Sequence, residues 1–364
     1  MTIVNPAFAT VPEQDEAKRL LSAALAEGPA HAYLFHGPPG VGKRALAIAF
    51  AAELIGEHDR VTNGSHPDLY KLEPLGDQIR IDAIRELRRD LHMRPFEADR
   101  RVYLLFAAES MNDDAMDALL KDLEEPPPYA VMVLVADDIG PLSETIRSRC
   151  QLVPFRRLSE RAMRAEVAAR APGLDEAAAT ALARLASGRL DRLTRLLDPE
   201  EAKHRDALLA AARAVYADPD FDASAAARVV LDASAAHGTK ARDDEESRIE
   251  GVDLSKTEAD QRVRRAQRGA ERERQLLALE ELAAWYRDLV VVAAGAESAV
   301  VHADRLAELR EDAGRDRMVG AERAAEVVRE QWRTFEEFNV SPPLAFEALF
   351  LRLRRELAGV VAAV

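Results

Sequence analysis

The chain of 364 residues is long enough for two or three domains of usual size, and its 48% hydrophobic content suffices for substantial cores. Its net charge of −14 excludes the overall basic coat of many nucleic-acid-binding proteins, although a local basic face remains compatible with it. A single cysteine, Cys150, excludes an internal disulfide and any zinc site that is built on several cysteines.

The sequence contains no signal for a membrane or for secretion. No apolar run approaches the about 18–20 residues that a membrane helix needs. The N-terminal stretch MTIVNPAFATVPEQ lacks the basic-then-apolar order of a signal peptide. We therefore expect a cytoplasmic protein that does not enter a membrane.

Up to Phe155 the sequence alternates between strand-like and helix-like segments. Helical composition predicts helices at 44–56 and at 113–128, the second of them stopped by prolines. Continuous apolar stretches predict buried strands at 32–37, 101–107 and 130–137. Apolar strands that are separated by helices favour a parallel sheet covered on both faces.

After Phe155 the sequence becomes rich in Ala, Leu, Arg and Glu at helical spacing. This pattern predicts a small helical domain over 158–198 and a nearly all-helical remainder over 199–364. Within the remainder, residues 237–274 carry dense mixed charge and almost no large apolar side chains. We interpret this segment as a solvated linker that runs into an exposed helix. A nucleic-acid-binding arm is the alternative, because Arg262–Arg268 is basic.

The stretch HGPPGVGKRA, from His36 to Ala45, nearly fits the phosphate-binding loop G-x-x-x-x-G-K-[ST]. In such a loop the glycines let backbone N–H groups converge on phosphate, the lysine adds a positive charge, and the final hydroxyl binds Mg²⁺. Here the final position is Arg44, which has no acceptor atom and cannot ligate a cation. We expect a degenerate, retained loop, with residual ATP or ADP binding left open, made of Gly37, Pro38, Pro39, Gly40, Val41, Gly42, Lys43 and Arg44.

The second half of a working nucleotide site is also incomplete. The strand Val102–Leu105 is followed by Phe106 and Ala107, where an Asp would bind Mg²⁺ and a Glu would polarise the attacking water. Glu109 comes two positions later, and we do not expect it to fold back to the site. Two missing metal-handling positions in one site indicate an ATPase that has lost its chemistry.

Several further stretches occur together in this chain. They are HAYLFHGPPGVGKRALA, the HPD at His66–Asp68, IRIDAIRELRRDL, RPFEADRRVYLL, ALLKDLEEPPP and TIRSRC, and near the C-terminus NVSPPLAFEALFLRLR. The run LLKDLEEPP followed by SRC is very specific. In this combination the chain resembles the clamp-loader AAA+ family of the bacterial DNA polymerase III holoenzyme.

The resemblance implies a fold and a set of partners. The fold would be α/β followed by all-α: an AAA+ domain with a five-stranded parallel sheet over 1–157, a helical lid over 158–198, and a helical collar for oligomerisation over 199–364. The partners would be the gamma/tau and delta subunits. Through the complex the chain would also meet the sliding clamp and primer-template DNA.

The resemblance also bears on hydrolysis. Motor subunits of the family carry Ser or Thr after the loop lysine and an Asp-Glu pair after the second strand, where this chain has Arg44, Phe106 and Ala107. The family's polar sensor falls near Ala136-Asp137, where a carboxylate would repel the γ-phosphate. The second sensor, an arginine in the motor subunits, falls near Asp191, where the charge is reversed. We therefore expect a non-hydrolysing subunit that requires no cofactor.

The motif Ser148-Arg149-Cys150 is intact. In the family it supplies an arginine finger to the γ-phosphate of ATP that the neighbouring subunit holds. A planar, always charged guanidinium suits this task because it binds phosphate oxygens bidentately. We expect Arg149, placed just after a helix start, to act in trans, with Arg147 as its competitor and Cys150 as a packed apolar side chain.

Many members of the family carry a cysteine zinc module before the HPD motif. The corresponding interval here, 51–68, has no cysteine. His58 and His66 with Asp59 and Asp68 would make a poor tetrahedral site. We therefore expect no zinc and no other metal.

Two other functions remain open. The first is an active P-loop ATPase, such as a motor-type clamp-loader subunit, against which the missing hydroxyl and acidic pair speak. The second is a nucleotide-sensing or DNA-binding adaptor that uses the loop alone. The intact SRC and LEEPP stretches speak against that adaptor.

Overall fold

The computed structural model describes residues 4–74, 78–250, 256–338 and 340–358. Contacts divide the chain into two compact units. The first unit comprises Met1–Met163 and Ser187–Arg192, and the second comprises Arg164–Ala186 and Leu193–Val364. The expected three-domain division, with boundaries after residues 157 and 198, stays a prediction.

The first unit is built on one sheet of five parallel strands in the order β2-β3-β4-β1-β5. The strands are β1 (Ala32–His36), β2 (Leu69–Leu72), β3 (Arg101–Phe106), β4 (Ala130–Ala136) and β5 (Gln151–Pro154). The three strands expected from apolar runs are confirmed and lie together in the middle of the sheet. The sequence patterns missed β2 and β5, because each has only four residues and includes polar ones at an edge of the sheet.

Helices cover both faces of this sheet, as expected. They are α1 (Asp15–Glu27), α2 (Lys43–Ile55), α3 (His58–Thr62), α4 (Ile81–Leu91), α5 (Asp113–Glu124), α6 (Glu144–Arg149) and the first turn of α7 (Glu160–Arg170). Phe35 of β1 belongs to the same core as Phe50 of α2, whereas the adjacent Leu34 belongs to a core with Leu119 of α5. Successive side chains of a strand point to opposite faces, so β1 supplies both cores.

Helix α5 shows how local sequence sets these elements. The side chain of Asn112 caps its first turn by accepting a hydrogen bond from the N–H of Ala115 at 3.0 Å. Its buried positions, Ala115, Leu119 and Leu123, repeat every four residues and face the sheet. The helix ends at Glu124, just before a run of prolines that cannot continue it.

The second unit is helical throughout its described elements. They are the rest of α7, α8 (Glu176–Leu185), most of α9 (Leu190–Leu196), α10 (Pro199–Ala217), α11 (Ala223–Ile249), α12 (Lys256–Ala293), α13 (Leu306–Asp312), α14 (Met318–Glu337) and α15 (Pro342–Ala358). Trp285, Tyr286, Phe346 and Phe350 are fully buried in its core. Among the helices of the described residues, none combines the length and apolar character needed to cross a membrane.

The interpretation of residues 237–274 as a solvated linker is wrong for the described part of that segment. Residues 237–249 continue α11, residues 256–274 begin α12, and these two helices pack against each other. Glu245 is buried and pairs with Arg262, and the buried Arg274 pairs with Glu201 at 3.1 Å. Charged side chains therefore join neighbouring helices here, which a count of apolar residues does not detect.

We expect Leu282→Ala to lower the free energy of unfolding of the helical unit by about 2–5 kcal/mol, because Leu282 is fully buried in its core. Urea unfolding can be followed by the fluorescence of Trp285 and Trp332, which both belong to this unit. Leu351→Ala is the matched control, since Leu351 is 58% exposed, and should change the free energy by less than about 0.5 kcal/mol. Equal effects of the two substitutions would contradict the assigned core.

Candidate functional site

The degenerate phosphate-binding loop joins β1 to α2, with the strand, loop and helix in the order such a site requires. Gly37, Gly40 and Gly42 all have positive φ, at 140°, 69° and 98°. A β-carbon at Gly37 would lie 2.2 Å from the carbonyl oxygen of Phe155. The loop conformation therefore requires glycine at this position, for reasons of both backbone angle and space.

Lys43, the loop lysine, is bound by the protein itself. Its ammonium donates to the carbonyl oxygens of Gly37 at 2.6 Å and Pro38 at 2.5 Å, and lies 2.7 Å from a carboxylate oxygen of Asp137. The side chain is only 4% exposed. An ammonium has three donors, and all three are used here, so a phosphate at this place would have to displace an internal partner.

Glu109 reaches the loop, and the expectation that it would not fold back is wrong. Burial raises the pKa of its carboxyl; hydrogen bonds from the backbone of Glu109 and Asp137 lower it in part, the charge of Asp137 raises it, and that of Lys43 lowers it. Within the described residues its Oε2 is buried without a hydrogen-bond partner. Ala107 has a left-handed backbone with φ of 51° and starts a 3-10 turn that brings Glu109 back, a bend that sequence patterns do not reveal.

A third carboxylate approaches the loop from Asp191. The N–H of Leu190 donates to the carbonyl oxygen of Gly40 at 2.7 Å, and a β-carbon on Gly40 would lie 1.7 Å from Asp191 Oδ1. Arg189 pairs with Asp191 at 2.7 Å, as Lys43 pairs with Asp137 at 2.7 Å. The carboxylates of Asp137 and Asp191 are therefore held in internal ion pairs next to the loop.

The two positions that lack metal-handling groups contact each other. The guanidinium of Arg44 lies 4.0 Å from the centre of the Phe106 ring, a cation–π contact, and also pairs with Glu73. Neither side chain offers an oxygen or a deprotonated nitrogen to a metal ion. A nucleotide-bound Mg²⁺ would therefore find no ligand at either position.

A different group of side chains has the composition of a metal site. Ligand atoms of Glu57, His66 and Glu97 lie within 4.8 Å of one another, and His66 is buried. The guanidinium of Arg60 already binds both carboxylates, at 2.9 and 2.6 Å. His66 Nδ1 accepts the N–H of Asp68 at 3.1 Å, so the proton of the neutral ring sits on Nε2. A ligating histidine normally donates from its second nitrogen, so this group fits a metal poorly.

Of the four side chains considered for zinc in the sequence, His58 and Asp68 have other partners. His58 lies 3.1 Å from Glu53. The carboxylate of Asp68 accepts three backbone N–H groups, those of residues 96–98, at 2.7 to 2.9 Å. Burial acts to raise the pKa of Asp68, but these three hydrogen bonds and the charge of Arg101 together lower it. Asp68 therefore fixes a backbone turn.

Arg149 lies at the end of α6, and the expectation that it follows a helix start is wrong. Its NH1 donates to the carbonyl oxygen of Thr145 at 3.0 Å, and its NH2 pairs with Glu124 at the end of α5. The side chain is 32% exposed. The guanidinium is thus at the surface, with two of its five donors in use.

The residues next to Arg149 in the sequence have other surroundings. Cys150 is buried, and burial raises the pKa of its thiol to about 12, so it stays protonated and unreactive. The hydroxyl of Ser148 donates to the carbonyl oxygen of Thr145 at 3.1 Å. The side chain of Arg147 has no hydrogen bond or ion pair with any described residue, and its Nε is buried.

The similarity to known protein sequences lies mainly in the first unit. A family model described as DNA polymerase III, delta subunit, matches residues 13–159. The DNA polymerase III subunit delta' of Pseudomonas aeruginosa is 40% identical over 136 residues, which are 33% of this chain and 42% of that protein. The subunit delta' of Bacillus subtilis is 33% identical over 145 residues, covering 36% and 44%. The subunit tau of Bacillus subtilis is 33% identical over 159 residues, covering 40% and 28%.

The chain therefore spans less than half the length of these curated relatives. Among solved structures, a gamma subunit-related protein of DNA polymerase III from Thermotoga maritima has a TM-score of 0.47 and 17% identity. The likeness covers 94% of this chain and 99% of that one.

We expect Glu109→Gln to stabilise the first unit at neutral pH relative to wild type. Burial holds the pKa of Glu109 above its unfolded value, so the wild-type unit loses stability as pH rises through the raised pKa. The neutral amide does not titrate, so the difference in melting temperature should grow between about pH 4 and pH 7.5. Calorimetric melting over this range measures it. Glu86→Gln, at an exposed position of α4, should show no such trend, and a flat Glu109→Gln profile would refute the assignment.

Proposed function

We propose that this chain is a member of the DNA polymerase III clamp-loader family and serves as the non-hydrolysing delta-prime subunit of the clamp-loader complex. It would help load the sliding clamp on primed DNA and supply Arg149 in trans to a motor subunit. The observation that carries the proposal is the contact between Arg44 and Phe106. Where motor subunits carry a hydroxyl and a carboxylate for Mg²⁺, this chain carries Arg44 and Phe106, and these two side chains stack on each other.

The surroundings of the loop support the loss of hydrolysis. Hydrolysis needs a bound metal and an oriented water next to the γ-phosphate. Lys43 is already bonded to two loop carbonyls and to Asp137, and Asp191 lies against Gly40. On this basis the chain requires no nucleotide and no metal for its function, and the loop acts as a scaffold.

The motor-type ATPase is the alternative that one observation favours, namely the carboxyl of Glu109 beside the loop. An ATPase of this class needs a carboxylate that polarises water. The raised pKa of Glu109 makes it a poorer candidate for that charge, and Asp137 is already paired with Lys43. Arg44 still leaves the metal without the hydroxyl ligand, so we favour the non-hydrolysing subunit.

Arg149 provides the chemistry that the chain's own site lacks. A guanidinium that stabilises charge on phosphate oxygens in the transition state can raise the rate by ~10³–10⁵. Arg149 lies at a surface position, at the end of a short helix that follows β4, where a neighbour's nucleotide could meet it. The partners in this proposal are the gamma/tau and delta subunits, together with the clamp and primer-template DNA.

The isolated chain is expected to release no phosphate from ATP above background. The physical reason is the lack of a metal ligand at Arg44 and Phe106. A steady-state assay of phosphate release with Mg²⁺ measures it, and Lys43→Ala serves to separate a contaminant from intrinsic activity. Turnover near 1 s⁻¹, a low but ordinary enzyme rate, that disappeared in Lys43→Ala would reject the proposal in favour of the motor-type ATPase.

Arg149→Ala is expected to lower clamp- and DNA-stimulated ATP hydrolysis by the reconstituted complex, and to lower clamp loading more. The fall in bulk hydrolysis should be partial, because other motor sites do not depend on this chain. Arg149→Lys should restore little, since an ammonium cannot reproduce a bidentate fork. Steady-state ATPase and clamp-loading assays measure both effects, with thermal melting of the free subunit to show that it stays folded.

Arg147→Ala is the matched control from the same helix, and it should change hydrolysis much less than Arg149→Ala. The reverse ranking would assign the finger to Arg147. Normal activity of Arg149→Ala in both assays would remove the proposed role altogether. A lowered melting temperature with unchanged hydrolysis per assembled complex would leave Arg149 as a structural residue.

A further inference from the structure

Arg149 is already bound to an anion of its own subunit. Its NH2 pairs with Glu124, and its NH1 donates to the carbonyl oxygen of Thr145 at 3.0 Å. Glu124 is the last residue of α5 and Arg149 the last residue of α6, and these two helices pack together. The pair therefore joins the LEEPP stretch to the SRC stretch across 25 positions of sequence.

This ion pair is suited to being broken. The side chain of Arg149 is 32% exposed and that of Glu124 is 48% exposed. Ion pairs at such exposure favour the paired state by roughly 1.4-fold to 5-fold. A phosphate group carries more negative charge than a carboxylate and accepts the same fork of donors, so it can displace Glu124.

The carboxylate and a phosphate cannot both use the same donor of Arg149. While Glu124 holds NH2, its negative charge also lies where it repels an approaching phosphate. Glu124 thus competes with the neighbour's nucleotide for the guanidinium. Removal of its charge should leave Arg149 more available in every state of the complex.

We propose that Glu124 is a positioning residue that holds Arg149 in a stored conformation until the neighbour's γ-phosphate displaces it. The inference rests on the proposed function of Arg149 as a finger in trans. On this view, Glu124 in the LEEPP stretch slows ATP hydrolysis at the neighbouring site when clamp and DNA are absent. The effect is weak, because the contact must open in every cycle.

The stored conformation can be measured in the free subunit, without any partner. Nitrogen NMR of the Arg149 guanidinium reports how fast its Nη groups exchange by rotation. We expect slower rotation in the wild type and in Glu125→Gln than in Glu124→Gln, although the hydrogen bond of NH1 to Thr145 remains in all three. Glu125 is the matched control, because it is the adjacent exposed glutamate and has no ion pair within the described residues. Equal rotation in all three proteins would overturn the stored conformation.

The restraint on hydrolysis is measured in the reconstituted complex. Without clamp and DNA, Glu124→Gln should raise kcat at the site that Arg149 serves by roughly 1.4-fold to 5-fold. The KM for ATP should stay unchanged, because the neighbour's own loop holds the nucleotide. Glu125→Gln should behave as the wild type. A purely structural role of Glu124 would lower the melting temperature instead and leave the basal kcat unchanged.

The remaining outcomes separate this inference from the proposed function. If Arg149→Ala lowers stimulated hydrolysis but Glu124→Gln leaves the basal kcat unchanged or lowers it, the finger stands and the restraint is refuted. If Arg149→Ala has no effect on hydrolysis, the finger fails and the restraint fails with it. A raised basal kcat in Glu124→Gln that persists in the double variant with Arg149→Ala would also refute the inference.

Discussion

The first unit depends on how the ammonium of Lys43 is bound. Its three partners belong to the start of the loop and to the residue after β4, so one side chain joins the ends of two adjacent strands to the first turn of α2. The same bonds occupy the donors that a nucleotide would need. A single buried charge thus closes the loop and makes it a structural element.

The substitutions around this loop act together. Arg44 is 55% exposed and pairs with Glu73, whereas Phe106 is only 4% exposed. The guanidinium lies 4.0 Å from the centre of the Phe106 ring, so the residue that replaces the hydroxyl covers the residue that replaces the carboxylate. Such a paired replacement is costly to reverse one residue at a time, because either reversal breaks the contact.

The ion pair at the end of α6 differs from the contacts of Lys43 in being partly exposed. Arg149 and Glu124 are partly exposed, and their ion pair is weak enough to exchange for a stronger anion. The loop is therefore held by the buried ammonium of Lys43, whereas Arg149 is held by a contact that can open. This difference in exposure is what the proposed division of labour between the two sites requires.

The sequence by itself determined the central strands, the helices around them, the degenerate loop and the family resemblance, because these depend on apolar runs, glycines and short motifs that are contiguous in the chain. Only the tertiary structure decided that Glu109 folds back towards Asp137, that Arg44 stacks on Phe106, and that Glu124 holds Arg149. The physical reason is distance along the chain. The backbone bend at Ala107 turns Glu109 back, and the packing of α5 on α6 brings Glu124 to Arg149; neither leaves a periodic signal in the sequence.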